Sequence, residues 1–398
     1  MASIHLPIGF RASAVKAGIK PSGSLDLAVL CCDMPCVAAG VFTTNRVSAA
    51  PVRWCRALVP DEGFRGIVVN AGNANAATGP QGDADTRATA ERASERLHCT
   101  PEQILVASTG VIGQSLPIKR MLEGIDEACA SLSDEPRAFE AASRAMMTTD
   151  REPKLVSLSQ EIDGEPVRLL GMAKGAAMIS PNMGTMLVFL LTDARIAPGA
   201  LQGVLTAAVD ESFHCLSIDG DTSTNDTVLV LSRAGKDKPA LHDAGLRAFG
   251  TMLKTACIEL ARLIAADAEG ATHRITVEVR GAVDDGEARQ VARAVASSLL
   301  VKTAIHGADP NWGRILMAAG AAGVAFEESE LTVKLQEVIV FDRGAPVPYD
   351  AAKLSQALRD HRDISIELVF HTGGNGRATF WTSDLTQEYV RLNAEYTT

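Results

Sequence analysis

The sequence predicts a mixed α/β (α+β) protein, and three observations carry that prediction. Ile364, Ile366, Leu368 and Phe370 alternate with Ser365, Glu367 and Val369, the period of a strand with one wetter face. Met186 to Leu191 is a continuous apolar run, the mark of a strand buried on both faces. Leu246, Phe249, Leu253, Cys257, Leu260 and Ile264 recur at helical spacing along one stripe.

The remaining elements follow in chain order. Ile67-Val68-Val69 and Ile104-Leu105-Val106 read as buried strands, separated by an Ala-rich, polar-faced helix from Ala84 to Leu97. Leu201, Val204, Leu205 and Ala208 fit a helix, with Pro198 near its start, where the missing N–H costs nothing. Val228 to Leu231 is another buried strand. Arg233 to Asp243, charged and holding Gly235 and Pro239, reads as a surface connection. A boundary is expected near Ala266 to Arg274. Beyond it, Leu331 to Leu335 alternates as a strand, and Asp350 to His361 carries Leu354 and Leu358 one helical turn apart.

Composition excludes several classes. With 398 residues, 46% hydrophobic and 22% charged, the chain is a folded globular protein, not a disordered one. Lys and Arg number 38 against 48 Asp and Glu, a formal charge of −10, which argues against a nucleic-acid partner. The apolar stretch Leu316 to Phe326 falls short of the roughly 18–20 residues that span a bilayer, and no basic start precedes an apolar run at Met1. A cytoplasmic protein with no membrane partner is therefore expected. The eight cysteines form no Cys-x-x-Cys pair. Cys31, Cys32 and Cys36 cluster without a second ligand pair, so buried thiols are expected and no metal. The dinucleotide, P-loop, zinc-protease and nucleophile-elbow signatures are all missing.

What stands out instead are runs rich in Gly, Asn, Ser, Thr and Asp. Asn70 to Gly79 follows a strand; it serves either a tight structural crossing or close approach of backbone to a ligand. In Ser108-Thr109-Gly110-Val111-Ile112-Gly113, a hydroxyl beside a glycine N–H at a strand end suits an oxyanion hole, or simply a strand-to-loop turn. Ser180-Pro181-Asn182-Met183-Gly184-Thr185 leads a turn into an apolar strand. A Thr hydroxyl can attack a strained preceding carbonyl. Hydrolysis of the resulting ester would leave Thr185 as a new N-terminus, with an α-amine of pKa roughly 7.7–8.0 as base for its own hydroxyl. A Gly-Thr pair entering a strand also has a purely structural reading. Ser217 to Thr227 lacks the calcium-loop order and reads as a polar hydrogen-bonded turn.

Taken with Met147-Thr148-Thr149-Asp150, Asp309-Pro310-Asn311-Trp312-Gly313-Arg314, the start Gly9-Phe10-Arg11-Ala12 and the tail from Asp384 to Tyr396, these segments occur in the order seen in one family. The whole chain resembles the ornithine acetyltransferases (glutamate N-acetyltransferases) of arginine biosynthesis.

The resemblance implies an αββα-layered N-terminal-nucleophile-like fold, shared with DmpA-type aminopeptidases. It implies self-cleavage between Gly184 and Thr185 into an alpha chain, 1–184, and a beta chain, 185–398, with a smaller α/β subdomain from about residue 275. Thr185 would be the nucleophile, Thr109 and Gly110 the oxyanion hole, and Thr148, Lys174, Thr185, Glu269, Asn393 and Thr398 the substrate contacts. Acetyl would pass from N-acetylornithine to glutamate through an acetyl-threonine ester. No cofactor is implied; acetyl-CoA is a co-substrate for some members. The two chains would stay together, two of each. A hydrolytic aminopeptidase or amidase and an uncleaved non-catalytic relative are the competing readings. The chain departs from the family pattern at Gly184 (usually Ala), Ala177 (usually Gly) and His273 (usually Lys), the last expected to alter charge near the acceptor site.

Overall fold

The computed structural model describes residues 4–180, 186–233 and 239–395. Among them the first sheet holds eight strands: β1 (Phe10–Val15), β2 (Leu27–Phe42), β3 (Asp61–Asn73), β4 (Ile104–Val111), β5 (Lys154–Ile162), β6 (Glu165–Lys174), β7 (Leu187–Thr192) and β8 (Thr227–Arg233). Their order is β4-β3-β2-β8-β7-β6-β5, with β1 also paired to β2.

The long strand β2 is where this sheet turns. Its register against β3 shifts between Cys31 and Cys36; its first part pairs with β1 and β3, its last part with β8. In a flat sheet β4 and β6 would stand five strand spacings apart, about 24 Å. Yet Lys174 Nζ, at the end of β6, lies 3.2 Å from Thr109 Oγ1 in β4. The sheet must therefore fold over on itself.

Side-chain alternation then sorts the layers. Ala28, Leu30, Ile67, Val69 and Leu105 of one half meet Leu170, Met172, Leu187, Phe189 and Leu229 of the other. The helix α1 (Ala50–Leu58) is tied to β4 by Cys55 Sγ, which donates to the Val106 carbonyl at 3.1 Å. Val29, Val68, Ile104 and Val106 point outward into α2 (Gly79–Leu97) and α3 (Ile118–Ala130). Phe139 and Ala142 of α4 (Pro136–Ala145) join the central layer. Val188, Leu190, Val228 and Val230 point outward on the far side, into α5 (Pro198–Asp210) and α6 (Asp243–Ala266). Helices, folded sheet and helices make the expected αββα stack.

A second sheet begins at β9 (Arg274–Ala282). Three helices follow, α7 (Asp285–Ala296), α8 (Leu299–His306) and α9 (Trp312–Gly320). Then come β10 (Leu331–Leu335), β11 (Val338–Asp342), β12 (Ala345–Pro346), α10 (Ala351–Asp360), β13 (Asp363–Phe370), β14 (Gly376–Ser383) and α11 (Gln387–Glu395). The strand order is β12-β11-β10-β13-β9-β14. Ile275, Val277, Ile364 and Ile366 extend the same apolar cluster that α6 shares with the first sheet.

Two elements run further than their apolar residues predict. The helix expected from Ala84 starts at Gly79, because Pro80 in the first turn supplies a preset φ without costing a hydrogen bond. Strand β4 continues through Thr109 to Val111, held by pairing with Ala71 to Asn73 of β3, so the Ser-Thr-Gly segment is strand and not turn. Cys31, Cys32 and Cys36 are buried free thiols. Among the described residues no helix is long and apolar enough to cross a membrane.

Candidate active site

Strands β4 and β6 end, and β7 and β8 begin, around one cavity of about 230 Å³. Thr109, Gly110, Thr148, Lys174, Glu269 and Asn393 all line it. These six predicted residues come from segments scattered over the chain and meet because the sheet is folded. Gly184, Thr185 and Thr398 lie outside the described residues. Their neighbour Met186 is described, and its position fixes where β7 starts: Leu187 pairs with Lys174 on one side and with Thr227 on the other.

Gly110 sits in β4 with φ +130°, beyond the range of ordinary side chains. A Cβ there would come within 2.3 Å of the Gly72 carbonyl carbon, so β3 and β4 touch backbone to backbone at this point. The Asn70 to Gly79 run is the other half of that contact. Asn70 donates to the Asn73 carbonyl (2.9 Å) and accepts from Ser108 Oγ (2.6 Å). Asn225 at the head of β8 donates to the carbonyls of Ala74 and Ser108 (2.6 and 2.8 Å), locking the two sheet halves together behind Thr109.

Lys174 is fully buried. Its ammonium donates to Thr109 Oγ1, the only hydrogen bond it makes among the described residues, and it joins no ion pair there. Burial pulls its pKa below the usual lysine value, and Lys154 pulls the same way; Asp150, Asp226 and Glu269 oppose them. Asp150 is equally buried. Burial alone would raise its carboxyl, but the Lys174 and Lys154 charges and the Gly175 N–H outweigh that and hold it at about 2.

On the opposite wall, Asn393 of α11 donates to Glu269 Oε2 at 2.8 Å. Tyr389, one turn earlier, donates to Asp219 Oδ2 at 3.3 Å. Asp219 also accepts the N–H groups of Met178 (2.6 Å) and Ile179 (2.8 Å), which orders the approach to Ser180. Asp226 accepts the Met186 N–H at 3.1 Å, and its Oδ2 has no partner among the described residues. Burial pushes this carboxyl well above the usual range.

The sequence profile of the ArgJ family matches residues 11–398. The chain belongs to the ArgJ family. It is similar to the arginine biosynthesis bifunctional protein ArgJ of Thermosynechococcus vestitus, 46% identical over 408 residues, covering 98% of this chain and 96% of that one. It is also similar to the protein of that name from Rhodopirellula baltica, 42% identical over 396 residues, 99% of this chain and 96% of the other. The crystal structure of arginine biosynthesis bifunctional protein argJ from Bacillus halodurans aligns at 40% identity and TM-score 0.49, over 51% of this chain and 96% of its own.

Two departures from the ArgJ pattern have structural explanations. Ala177 needs no glycine freedom, because the positive φ falls on Met178 next to it. His273, expected to alter charge near the acceptor site, does not line the cavity; its Nδ1 faces Asp384 (3.1 Å) and its Nε2 the Leu358 carbonyl (3.0 Å), because it immediately precedes β9. The Asp309 to Arg314 motif likewise lies at the start of α9, off the cavity. Sequence reasoning missed Asp150, Asp219, Asn225 and Asp226, although each lies inside a motif already singled out. Tyr389 lies in the singled-out tail too, whereas Lys154 and Asp267 lie in none of these motifs.

Proposed function

We propose that the chain transfers an acetyl group from N-acetylornithine to glutamate by way of an acetyl ester on Thr185, after cutting itself between Gly184 and Thr185. The coarser statement is simpler: this is an ArgJ-family enzyme of arginine biosynthesis, an acyltransferase.

One observation carries the finer reading. Thr109, Gly110 and Lys174 face one another across the folded sheet, beside the start of β7, from which Thr185 is separated in sequence by Met186 alone. That arrangement supplies donors for a negatively charged oxygen next to a nucleophile. In the first half-reaction Thr185 Oγ attacks the acetyl carbonyl while the freed α-amine takes the hydroxyl proton. The Thr109 hydroxyl and the Gly110 N–H stabilise the oxyanion, an effect of about 3–4 kcal/mol for a donor of this kind. Collapse breaks the amide C–N bond, and the α-ammonium returns its proton to the departing ornithine nitrogen. The glutamate amine then attacks the ester and the steps reverse.

The lining favours an amino acid carrying charge of both signs. Lys174 faces the cavity along with Asp219, Asp221 and Glu269. A donor with a side-chain ammonium meets the carboxylates, and its own carboxylate meets Lys174. One amide is exchanged for another, so neither cofactor nor external energy is needed; acetyl-CoA is a second donor able to load the same ester. The two pieces stay associated, two of each, in the cytoplasm.

Thr185→Ala tests this. The variant should run as one band near the full 41.9 kDa and form no acetylglutamate. The wild type should give two bands and gain one acetyl group when mixed with N-acetylornithine. Transfer surviving in the variant contradicts the assignment. Free acetate in place of acetylglutamate from the wild type would make the protein an amidase.

A further inference from the structure

We infer that Asp150 is a positioning residue: it ties the segment bearing Thr148 to the end of β6, and so aims the Lys174 ammonium at Thr109 Oγ1. This inference rests on the acyl-transfer reading above and deepens it. Asp150 spends both carboxylate oxygens inside the protein. Oδ1 accepts from Lys154 Nζ (2.6 Å) and from the Gly175 N–H (2.7 Å), and Oδ2 accepts the Thr148 N–H (3.1 Å). Gly175 directly follows Lys174, so the backbone at the lysine is pinned.

The clamp closes through a second carboxylate. Lys154 Nζ also donates to Asp267 Oδ2 (2.7 Å), which accepts the Arg151 N–H as well (3.0 Å). Two residues on, the Glu269 N–H donates to the Ala176 carbonyl (2.9 Å), two residues beyond Lys174. The circuit thus runs from Thr148 through Asp150, Lys154 and Asp267 to Glu269, and back along 176–174. Three proposed substrate contacts hang from one buried ring of hydrogen bonds.

The consequence for chemistry lies in a single hydroxyl. A threonine O–H has one hydrogen to give. With Lys174 donating into Thr109 Oγ1, the hydroxyl's own hydrogen must point elsewhere, and the cavity is there to receive it. Without a fixed Lys174 the hydroxyl is free to turn, and the oxyanion loses a preset donor. The charged groups around Lys174 come from several elements: Asp150 from the segment before β5, Lys154 from β5, Lys20 from the segment between β1 and β2, Asp226 from the head of β8 and Glu269 from the segment after α6. Lys20 is itself pulled down to about 8 by burial.

The test follows Lys174 directly. Protein labelled with 13Cε-lysine would be titrated by NMR, with the Lys174 signal assigned by its loss in Lys174→Met. In Asp150→Asn the Lys174 midpoint should fall by about one pH unit or more, because the opposite charge that raises it most is gone. In Lys154→Met it should move upward, because a like charge is gone. The alkaline limb of kcat should follow each midpoint, while the acid limb stays in place. The charge change alone would shift the midpoint and leave the kcat plateau at the wild-type value, whereas loss of the clamp lowers the plateau as well. An unchanged Lys174 midpoint or a wild-type plateau in Asp150→Asn, or shifts of the same sign in both variants, overturns the inference. Lys154→Met keeps Asp150 and decides the matter should Asp150→Asn fail to fold. A wild type that makes no acetylglutamate would sink the acyl-transfer reading, while the titration would still decide whether Asp150 governs Lys174.

Discussion

Asp150, through Lys154, and Asp384, directly, brace the same short segment, 267–273, from its two ends, and both carboxyls are held at about 2. Their surroundings differ. Asp150 faces two lysines at the cavity wall. Asp384 sits at the seam with the second sheet. It accepts the N–H groups of Thr272 (2.9 Å) and His273 (2.8 Å), and faces Nδ1 of His273 (3.1 Å) and of His306 (3.2 Å). Burial would raise its carboxyl, and these hydrogen bonds overcome that. The cavity wall is therefore wired through lysine ammonium groups, and the seam through imidazole rings and backbone N–H groups. Damage at the wall should cost rate, and damage at the seam should cost stability.

The sharpest test of that division is Thr109→Val. It should lower kcat per folded molecule for acetylglutamate formation by about 100–1000-fold, beyond whatever stability is lost because the buried Lys174 ammonium loses its described partner. A kcat per folded molecule near wild type would erase the distinction. Next in size is Asp384→Ala, which takes the buried acceptor away from the N–H groups of Thr272 and His273. Denaturant unfolding should record a loss of about 1–3 kcal/mol, while kcat per folded molecule stays near wild type. A large fall in kcat instead would mean the seam reaches the chemistry.

The smallest effect concerns pH. The hydrogen bond to Asp384 raises the His273 pKa above its ordinary 6.5. Its contribution is then complete below 6.5 and is lost as pH rises through the folded value. The wild type should lose stability as pH rises above about 6.5, and His273→Gln should flatten that slope. A slope unchanged in the variant would assign it to another group. A seam that weakens only below pH 4 would place the whole dependence on Asp384, whose depressed carboxyl loses its contribution as pH falls.

Much of this was legible beforehand. Alternation at Ile364 to Phe370 and the apolar run at Met186 to Leu191 locate their strands because burial on one face or on both leaves its period in the residues. Thr109, Gly110 and Lys174 could be picked out from motifs. Their meeting could not be read from spacing, since it depends on a register shift in β2 that no local pattern announces. Lys154 and Asp267 were invisible for a related reason. They lie 113 positions apart, and neither occupies a distinctive local context.

The placement of β7 has a mechanical corollary. A chain cut anywhere between Ser180 and Met186 yields a first piece carrying β1 to β6 and a second whose β7 and β8 are interleaved between β6 and β2 of the first. Each flank is a full ladder, Leu169 to Lys174 against Leu187 to Thr192 and Cys36 to Phe42 against Thr227 to Arg233. Pulling the pieces apart would mean unzipping both at once and baring their dry central faces. Scission of this backbone would free an end without releasing a fragment.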